Sequence, residues 1–112
     1  MDKSDLVSSS PTLDDVRSVS SVLELYTTSP LLGGLWKRPQ LSPRDRSRVT
    51  VCALVATGQV AQITHRLNRA MDNGLTKVQV SEAMTQLAFY AGWPKVFSAL
   101  PTVKDVLEKR AS

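Results

Sequence analysis

The sequence predicts an all-α fold, a compact bundle of about five to six helices formed by one 112-residue chain. Three observations favour this class. Apolar residues recur at helical spacing along most of the chain, no segment shows the alternation of a half-buried strand, and Gly, Pro and capping residues separate the helical segments. The connections between these segments are short, which favours antiparallel packing of successive helices.

The first predicted helix follows a Ser-rich tail. Residues 1–11 hold few apolar side chains, so we expect a loose or disordered tail and a folded domain over 12–112. The helix begins near Leu13 and ends near Thr28, with apolar residues at helical spacing between them. Two glycines and two prolines then predict a loop, or a short helical turn, that carries Trp36.

Two central helices have clear boundaries. Ser42 is a suitable N-cap and Pro43 a suitable first residue for a helix that ends at Gly58. Its body, "RVTVCALVAT", is apolar nearly all round, so we expect it to be buried on most sides. The next helix spans 59–73, places its apolar residues on one face and closes at Gly74.

The last two predicted helices meet at a tight corner. Thr76 and Gln79 form a capping box at the start of the first. Gly92 then ends this helix with a positive φ, Pro94 starts the last helix, and Pro101 is expected to kink or interrupt it. The inner stripe of the helix before the corner is Val80, Ala83, Met84, Leu87, Ala88 and Ala91.

The content of reactive residues excludes several classes of site. One cysteine, Cys52, allows neither an intramolecular disulfide nor a CxxC motif, and one histidine leaves no Cys/His metal site. No metal and no cofactor is therefore predicted. The N-terminal residues lack the apolar region of a signal peptide, and no stretch is long enough to span a membrane. We expect a cytoplasmic protein with a reduced thiol.

The net charge of +4 is concentrated in one segment, residues 37–48. Such a basic segment suits nucleic acid, anionic lipid or a small molecule that carries a carboxylate. The alternative interpretation is a solvated helix start whose arginines form local ion pairs. The charged residues of this segment are Lys37, Arg38, Arg44, Asp45, Arg46 and Arg48.

Phe89 points to assembly. On a helical wheel it lies opposite the inner stripe of its helix, although it is large and apolar. A second apolar face on a helix of so short a chain predicts packing between subunits, and hence a homo-oligomer. The alternative is that Phe89 packs under the N-terminal segment.

Three motifs in order along the chain, "LSPRDRSRVTVCALVATGQ", "HRLNRAMDNGLT" and "EAMTQLAFYAGWP", resemble the carboxymuconolactone decarboxylase family. The resemblance runs from about Asp14 to Lys109. It implies an all-α bundle that assembles into trimers or hexamers. It also implies decarboxylation of 4-carboxymuconolactone in the degradation of aromatic compounds. The related alkylhydroperoxidase branch uses a CxxC pair, which Cys52 cannot form, so we do not expect a CxxC peroxidase.

The resemblance also indicates site positions. The family pattern usually has a His where this chain has Arg66, with His65 one residue earlier. It often has a Glu at the position of Ser47 and a His at that of Gln86. Arg46 and Arg66 are predicted to bind the carboxylates of the substrate, and Gln86 to contact it.

The fourth helix carries a polar row with a spacing of four residues, Glu82, Gln86 and Tyr90. The predicted catalytic residues are His65, Glu82 and Tyr90, and Trp93 joins the substrate-binding set. Each has an alternative role: Glu82 could pair with an arginine to hold helices together, His65 could lie at a surface or interface, and the aromatic side chains could be packing residues. Cys52, inside an apolar helix, is expected to be an inert small core residue.

The predicted function is that of a carboxy-lyase acting on a small anionic lactone or related organic acid. The alternative is a catalytically reduced family member that acts as an oligomeric binding or accessory protein. A third interpretation, nucleic-acid binding through 37–48, ranks last because no recognised DNA-binding motif is visible.

Overall fold

A computed structural model describes residues 13–28 and 34–111, and every element within these two ranges is helical. The all-α class is therefore confirmed. The predicted tail, residues 1–11, lies outside the described residues, and the domain boundary at residue 12 stays a prediction. The chain divides into two units, one ending at Ser42 and one starting at Pro43.

The first unit holds two short helices, α1 (Leu13–Val19) and α2 (Ser21–Tyr26). The prediction of one continuous helix is wrong, because Ser20 adopts an extended conformation with φ −155° and ψ 113°. Its hydroxyl accepts a hydrogen bond of 3.1 Å from the backbone N–H of Leu23. Ser20 thereby caps α2, a local interaction that competes with continuation of the helix.

A salt bridge and a short turn complete the first unit. Arg17 on α1 pairs with Asp14 on the same helix and with Glu24 on α2. Trp36 lies in a 3-10 turn, Leu35–Lys37, and is half-buried. The predicted short helical turn around Trp36 is confirmed.

The second unit contains four helices. They are α3 (Pro43–Ala56), α4 (Ile63–Asp72), α5 (Lys77–Ala91) and α6 (Trp93–Ala111). The predicted helix over 59–73 begins instead with a 3-10 turn, so α4 starts at Ile63. Helix α3 packs against α4, α5 against α6, and α4 against α6.

The core of the second unit consists of apolar side chains from all four helices. The stripe predicted for α5 is confirmed, because Val80, Met84 and Ala88 are buried. Helix α3 differs from its prediction: it buries one face, while Val49 on the other face is 59 % exposed. The buried apolar residues are Val51, Val55, Ile63, Leu67, Ala70, Leu75, Val80, Met84, Ala88, Val96, Ala99, Val103 and Val106.

The corner between α5 and α6 forms as predicted at Gly92, which has φ 99°. Helix α6 begins at Trp93, one residue earlier than expected, and passes through Pro101 as one helix. The expected interruption is wrong. The buried face of α6 continues on both sides of Pro101, from Ala99 to Val103, so packing outweighs the hydrogen bond that a proline removes.

Candidate functional site

Two of the predicted binding residues lie on helices that pack together. Arg46 on α3 and Arg66 on α4 are both half-buried, and the Nε atom of Arg46 is completely buried. His65, next to Arg66, is also half-buried rather than fully exposed. We call these three half-buried residues, Arg46 on α3 and His65 and Arg66 on α4, the α3–α4 cluster; they carry two guanidinium groups and one imidazole.

A partly buried hydrogen bond joins the same two helices. The side-chain amide of Asn73, at the end of α4, donates to the hydroxyl of Ser47 over 2.9 Å. Ser47 is only 3 % exposed, and it is the one buried polar residue among the described residues. The position that often holds a Glu in the family is therefore occupied by a neutral group that fixes α3 against the end of α4.

The start of α3 carries local ion pairs. Asp45 accepts a contact of 2.6 Å from Arg48 and one of 3.5 Å from Arg44. These pairs are what the alternative interpretation of the basic segment predicts for this helix. Asp45 is the one acidic residue of this segment, so its pairs offset one of the five positive charges and the net charge of the segment remains +4.

Cys52 is half-buried on α3. Burial raises the pKa of its thiol, and the nearby positive charge of Arg48 opposes this rise to a smaller extent. The thiol is therefore kept protonated at neutral pH. This state agrees with the expectation of an unreactive side chain.

The polar row on α5 faces solvent. Glu82, Gln86 and Tyr90 are all exposed, Tyr90 by 84 %. Among the residues that the structure describes, Glu82 forms no ion pair with an arginine, so that alternative role is wrong for the single chain. The catalytic roles of Glu82 and Tyr90 stay predictions.

A groove of about 950 Å³ runs between α5 and α6. Its walls are mostly apolar, with charged residues Lys77, Lys104 and Glu108 among its lining. Trp93 is the one predicted site residue that lines it. The apolar lining residues are Val80, Met84, Ala88, Trp93, Val96, Phe97, Leu100, Pro101, Val103 and Leu107.

Three aromatic rings form a continuous row beside this groove. The centroids of Phe89 and Trp93 are 5.5 Å apart, and those of Trp93 and Phe97 are 5.9 Å apart, both in edge-to-face geometry. The three side chains are 71 %, 52 % and 59 % exposed, in that order along the chain. We call this row, Phe89, Trp93 and Phe97, the aromatic ridge.

The groove and most of the ridge are absent from the sequence-based site. Phe97 follows Trp93 by four residues and Leu100 follows Phe97 by three, a spacing that indicates a second apolar face on α6. This spacing is the feature of the sequence from which the second apolar face of α6 can be predicted. Only the packing of α5 against α6 shows that this second face remains open.

The described residues bring no three His, Cys, Asp or Glu side chains together in an arrangement that could hold a metal ion. Across the same residues, no helix combines the length and the apolar character that crossing a bilayer requires.

Comparison with known proteins decides the family. The model of the carboxymuconolactone decarboxylase family matches residues 25–105. The chain belongs to the carboxymuconolactone decarboxylase family. The matched range contains every predicted site residue, from Arg46 to Trp93.

Two curated proteins are similar to the chain. A 4-carboxymuconolactone decarboxylase from Acinetobacter baylyi is 32 % identical over 76 residues, which cover 68 % of this chain and 57 % of the relative. The nitrosuccinic acid decarboxylase npaB from Metarhizium robertsii is 27 % identical over 81 residues, which cover 69 % of this chain and 57 % of the relative. The matched region thus spans little more than half the length of each.

Proposed function

We propose that the protein is a decarboxylase of a small anionic organic acid. The observation that carries the proposal is the α3–α4 cluster, in which two half-buried guanidinium groups lie on helices that pack together. Guanidinium groups bind carboxylates through charge-assisted, often bidentate hydrogen bonds. The names of both relatives support the reaction type, since each describes a decarboxylase of a carboxylic acid.

The proposed reaction breaks the bond between the carboxylate carbon and its neighbour. Carbon dioxide leaves, and the electron pair of that bond stays on the substrate as a carbanion or enolate. Arg46 and Arg66 hold the anionic substrate, and their positive charge stabilises the negative charge that develops on it. A proton then replaces the lost carboxylate. We assign its delivery to His65, which is half-buried beside Arg66.

The names of the two relatives and the α3–α4 cluster support one class of substrate. A small lactone or succinate derivative with one or two carboxylates suits a pair of arginines. A place in the degradation of aromatic compounds and a cytoplasmic location belong to the same proposal, and both rest on the resemblance to the family.

The test is release of carbon dioxide from 4-carboxymuconolactone and from nitrosuccinate. We expect turnover of at least one of them, and a loss of about 10- to 150-fold in kcat/KM for Arg46→Ala or Arg66→Ala, since a charge-assisted contact is worth roughly 1.5–3 kcal/mol. Arg69→Ala is the matched control, because Arg69 is an exposed arginine on the same helix as Arg66. Equal losses in all three variants would contradict the assignment.

The second candidate is an oligomeric binding or accessory protein. Two observations favour it: Arg66 stands where the family usually has a His, and Glu82 and Tyr90 are exposed in the single chain. In that case calorimetry would detect binding of the same acids without release of carbon dioxide. Binding would still depend on Arg66.

A further inference from the structure

We propose that Asn73 is a deamidation site that the fold holds closed, and that it converts when the end of α4 opens. Asn73 closes α4 and is followed directly by Gly74. The chain has two asparagines, and the other one, Asn68, precedes Arg69. A glycine has no side chain to hinder its own backbone nitrogen, so the Asn–Gly pair is the more reactive of the two. This site is independent of the decarboxylase activity.

Deamidation joins the backbone to the side chain before it releases ammonia. The backbone nitrogen of Gly74 attacks the side-chain amide carbon, Cγ, of Asn73. A bond from this nitrogen to Cγ forms, the bond from Cγ to Nδ2 breaks, and the backbone N–H proton leaves with Nδ2 as ammonia. Water then opens the resulting succinimide ring at either carbonyl carbon, which leaves aspartate or isoaspartate at position 73. The net change consumes water, releases ammonia and involves no oxidation or reduction.

The backbone of Asn73 holds the attacking nitrogen away from the side-chain amide. Its ψ is 3°, which turns the Gly74 nitrogen toward the backbone nitrogen of Asn73. Ring closure needs the Gly74 nitrogen on the side of Cβ instead, about a third of a turn away around the tetrahedral Cα. The Gly74 N–H also donates a hydrogen bond of 3.1 Å to the carbonyl of Met71. The folded backbone therefore opposes the attack.

The side-chain amide of Asn73 is held as well. Its Nδ2 atom donates the 2.9 Å hydrogen bond to the hydroxyl of Ser47 on α3. Ser47 is only 3 % exposed, so little water is available to replace the amide as its partner. Movement of the amide toward the Gly74 nitrogen breaks this bond in a poorly solvated place, which is costly. Ser47 thus keeps the site closed.

The end of α4 can open without unfolding of the whole core. Helix ends fray at a lower free-energy cost than helix centres. The segment concerned is short, because it lies between two buried residues, Ala70 and Leu75. Asp72 and Gly74 within it are exposed. A local opening of this turn releases both the Gly74 nitrogen and the Asn73 amide.

Conversion is irreversible and changes the link between α3 and α4. Neither product has the side-chain N–H that donates to Ser47. Isoaspartate also lengthens the main chain by one atom just before Leu75, whose N–H bonds to the carbonyl of Ala70 at 3.0 Å. The extent of conversion therefore measures how often the end of α4 has opened.

The experiment incubates the full chain at mildly alkaline pH, folded or in urea, and follows the exchange of NH2 for OH by peptide mass spectrometry. We expect slow conversion at Asn73 in the folded chain, fast conversion in urea, and little at Asn68 in either condition. Ser47→Ala should speed conversion of the folded chain by about 5- to 150-fold, since an unpaired buried group costs roughly 1–3 kcal/mol. Circular dichroism checks that this variant remains helical.

The matched control is Gly92→Ala. It strains the corner between α5 and α6, where φ is 99°, and leaves the bond between Ser47 and Asn73 in place. A gate at the end of α4 predicts a much larger acceleration in Ser47→Ala than in Gly92→Ala. Asn73→Gln should abolish the fast conversion in urea, because a glutamine has to close a larger ring.

Three results would each overturn the proposal. They are conversion at Asn68 in place of Asn73, equal rates at Asn73 in the folded and the urea-treated chain, and equal acceleration in Ser47→Ala and Gly92→Ala. If Ser47→Ala fails to fold, the comparison of folded and urea-treated chain with serine at position 47 still decides whether the fold closes the site.

Discussion

The amide of Asn73 donates a hydrogen bond of 2.9 Å to the hydroxyl of Ser47, and this bond fixes helix α3 against the end of α4. This hydrogen bond also bears on the proposed substrate-binding residues. Arg46 directly precedes Ser47 on α3, and Arg66 lies on α4, so the bond links the two helices that carry the proposed substrate-binding arginines.

Replacing Ser47 should therefore destabilise the fold. Ser47→Ala leaves the half-buried Asn73 amide without this acceptor, so we expect the free energy of unfolding to fall by about 1–3 kcal/mol. Urea denaturation measures the change. Ser98→Ala is the control, because Ser98 is exposed and bonds only to the backbone of its own helix, and it should change stability by less than about 0.5 kcal/mol. Similar losses in both variants would contradict a special role for Ser47.

Two of the three helix-ending glycines, Gly92 and Gly58, should differ in their tolerance of a side chain. Gly92 has φ 99° and ψ 143°, a conformation that only glycine adopts readily, so Gly92→Ala should cost about 1–3 kcal/mol. Gly58 has φ 75°, in the left-handed region that Asn tolerates, and an added Cβ would approach only the flexible end of Lys95. Gly58→Asn should therefore cost less. Thermal denaturation compares the stability of the two variants. A larger loss of stability in Gly58→Asn than in Gly92→Ala would show that the corner between α5 and α6 does not require a glycine at position 92.

The arginine and the histidine of the α3–α4 cluster should contribute unequally to turnover. The C–C bond breaks before the proton arrives, and water can supply that proton, so His65→Ala should lower kcat by a smaller factor than Arg66→Ala lowers kcat/KM. Arg66→Ala removes a charge-assisted contact and should lower kcat/KM by about 10- to 150-fold. Steady-state assays on the active substrate measure both. A silent Arg66→Ala beside an inactive His65→Ala would reverse the proposed roles.

Cys52 should make stability depend on alkaline pH. Burial raises the pKa of its thiol in the folded chain, so the unfolded chain loses this proton first as the pH rises. The contribution of the protonated thiol is complete below the ordinary thiol pKa and is lost as the pH passes through the raised value. The pH dependence of urea denaturation should weaken in Cys52→Ala.

Labelling of the thiol provides an independent measurement. Iodoacetamide should react slowly with the native protein at neutral pH and rapidly after unfolding. Arg48→Gln removes the charge that lowers the thiol pKa, so it should slow native labelling further. Faster labelling in Arg48→Gln would contradict this electrostatic assignment.

The sequence predicted helices with strong end signals more accurately than helices without them. The capping box of Thr76 and Gln79 forms as expected, with bonds of 3.0 Å and 3.2 Å. The break at Ser20 was missed, because apolar periodicity continues across it while the cap depends on one serine hydroxyl. The interruption predicted at Pro101 does not form. Here the local signal is strong, but tertiary packing maintains a helix that the preference of proline would end.

The candidate site was predictable only in part. The spacing of Glu82, Gln86 and Tyr90 correctly placed them in one row, but a helical wheel does not show which face meets solvent. The Ser47–Asn73 bond joins residues 26 positions apart, and no local pattern indicates such a contact. The groove likewise exists only after α5 and α6 have packed.

Helix α6 lacks one backbone hydrogen bond at Pro101. A proline has no N–H, so the carbonyl of Phe97 lacks its usual helical donor. Beyond Pro101, Arg110 anchors the helix to α4 through Asn68 and Asp72, at 3.1 Å and 2.8 Å. Bending of α6 should therefore concentrate at Pro101. The segment after Pro101 is held by these polar contacts, and the segment before it, which carries Trp93 and Phe97, is held by the buried side chains of Val96 and Ala99.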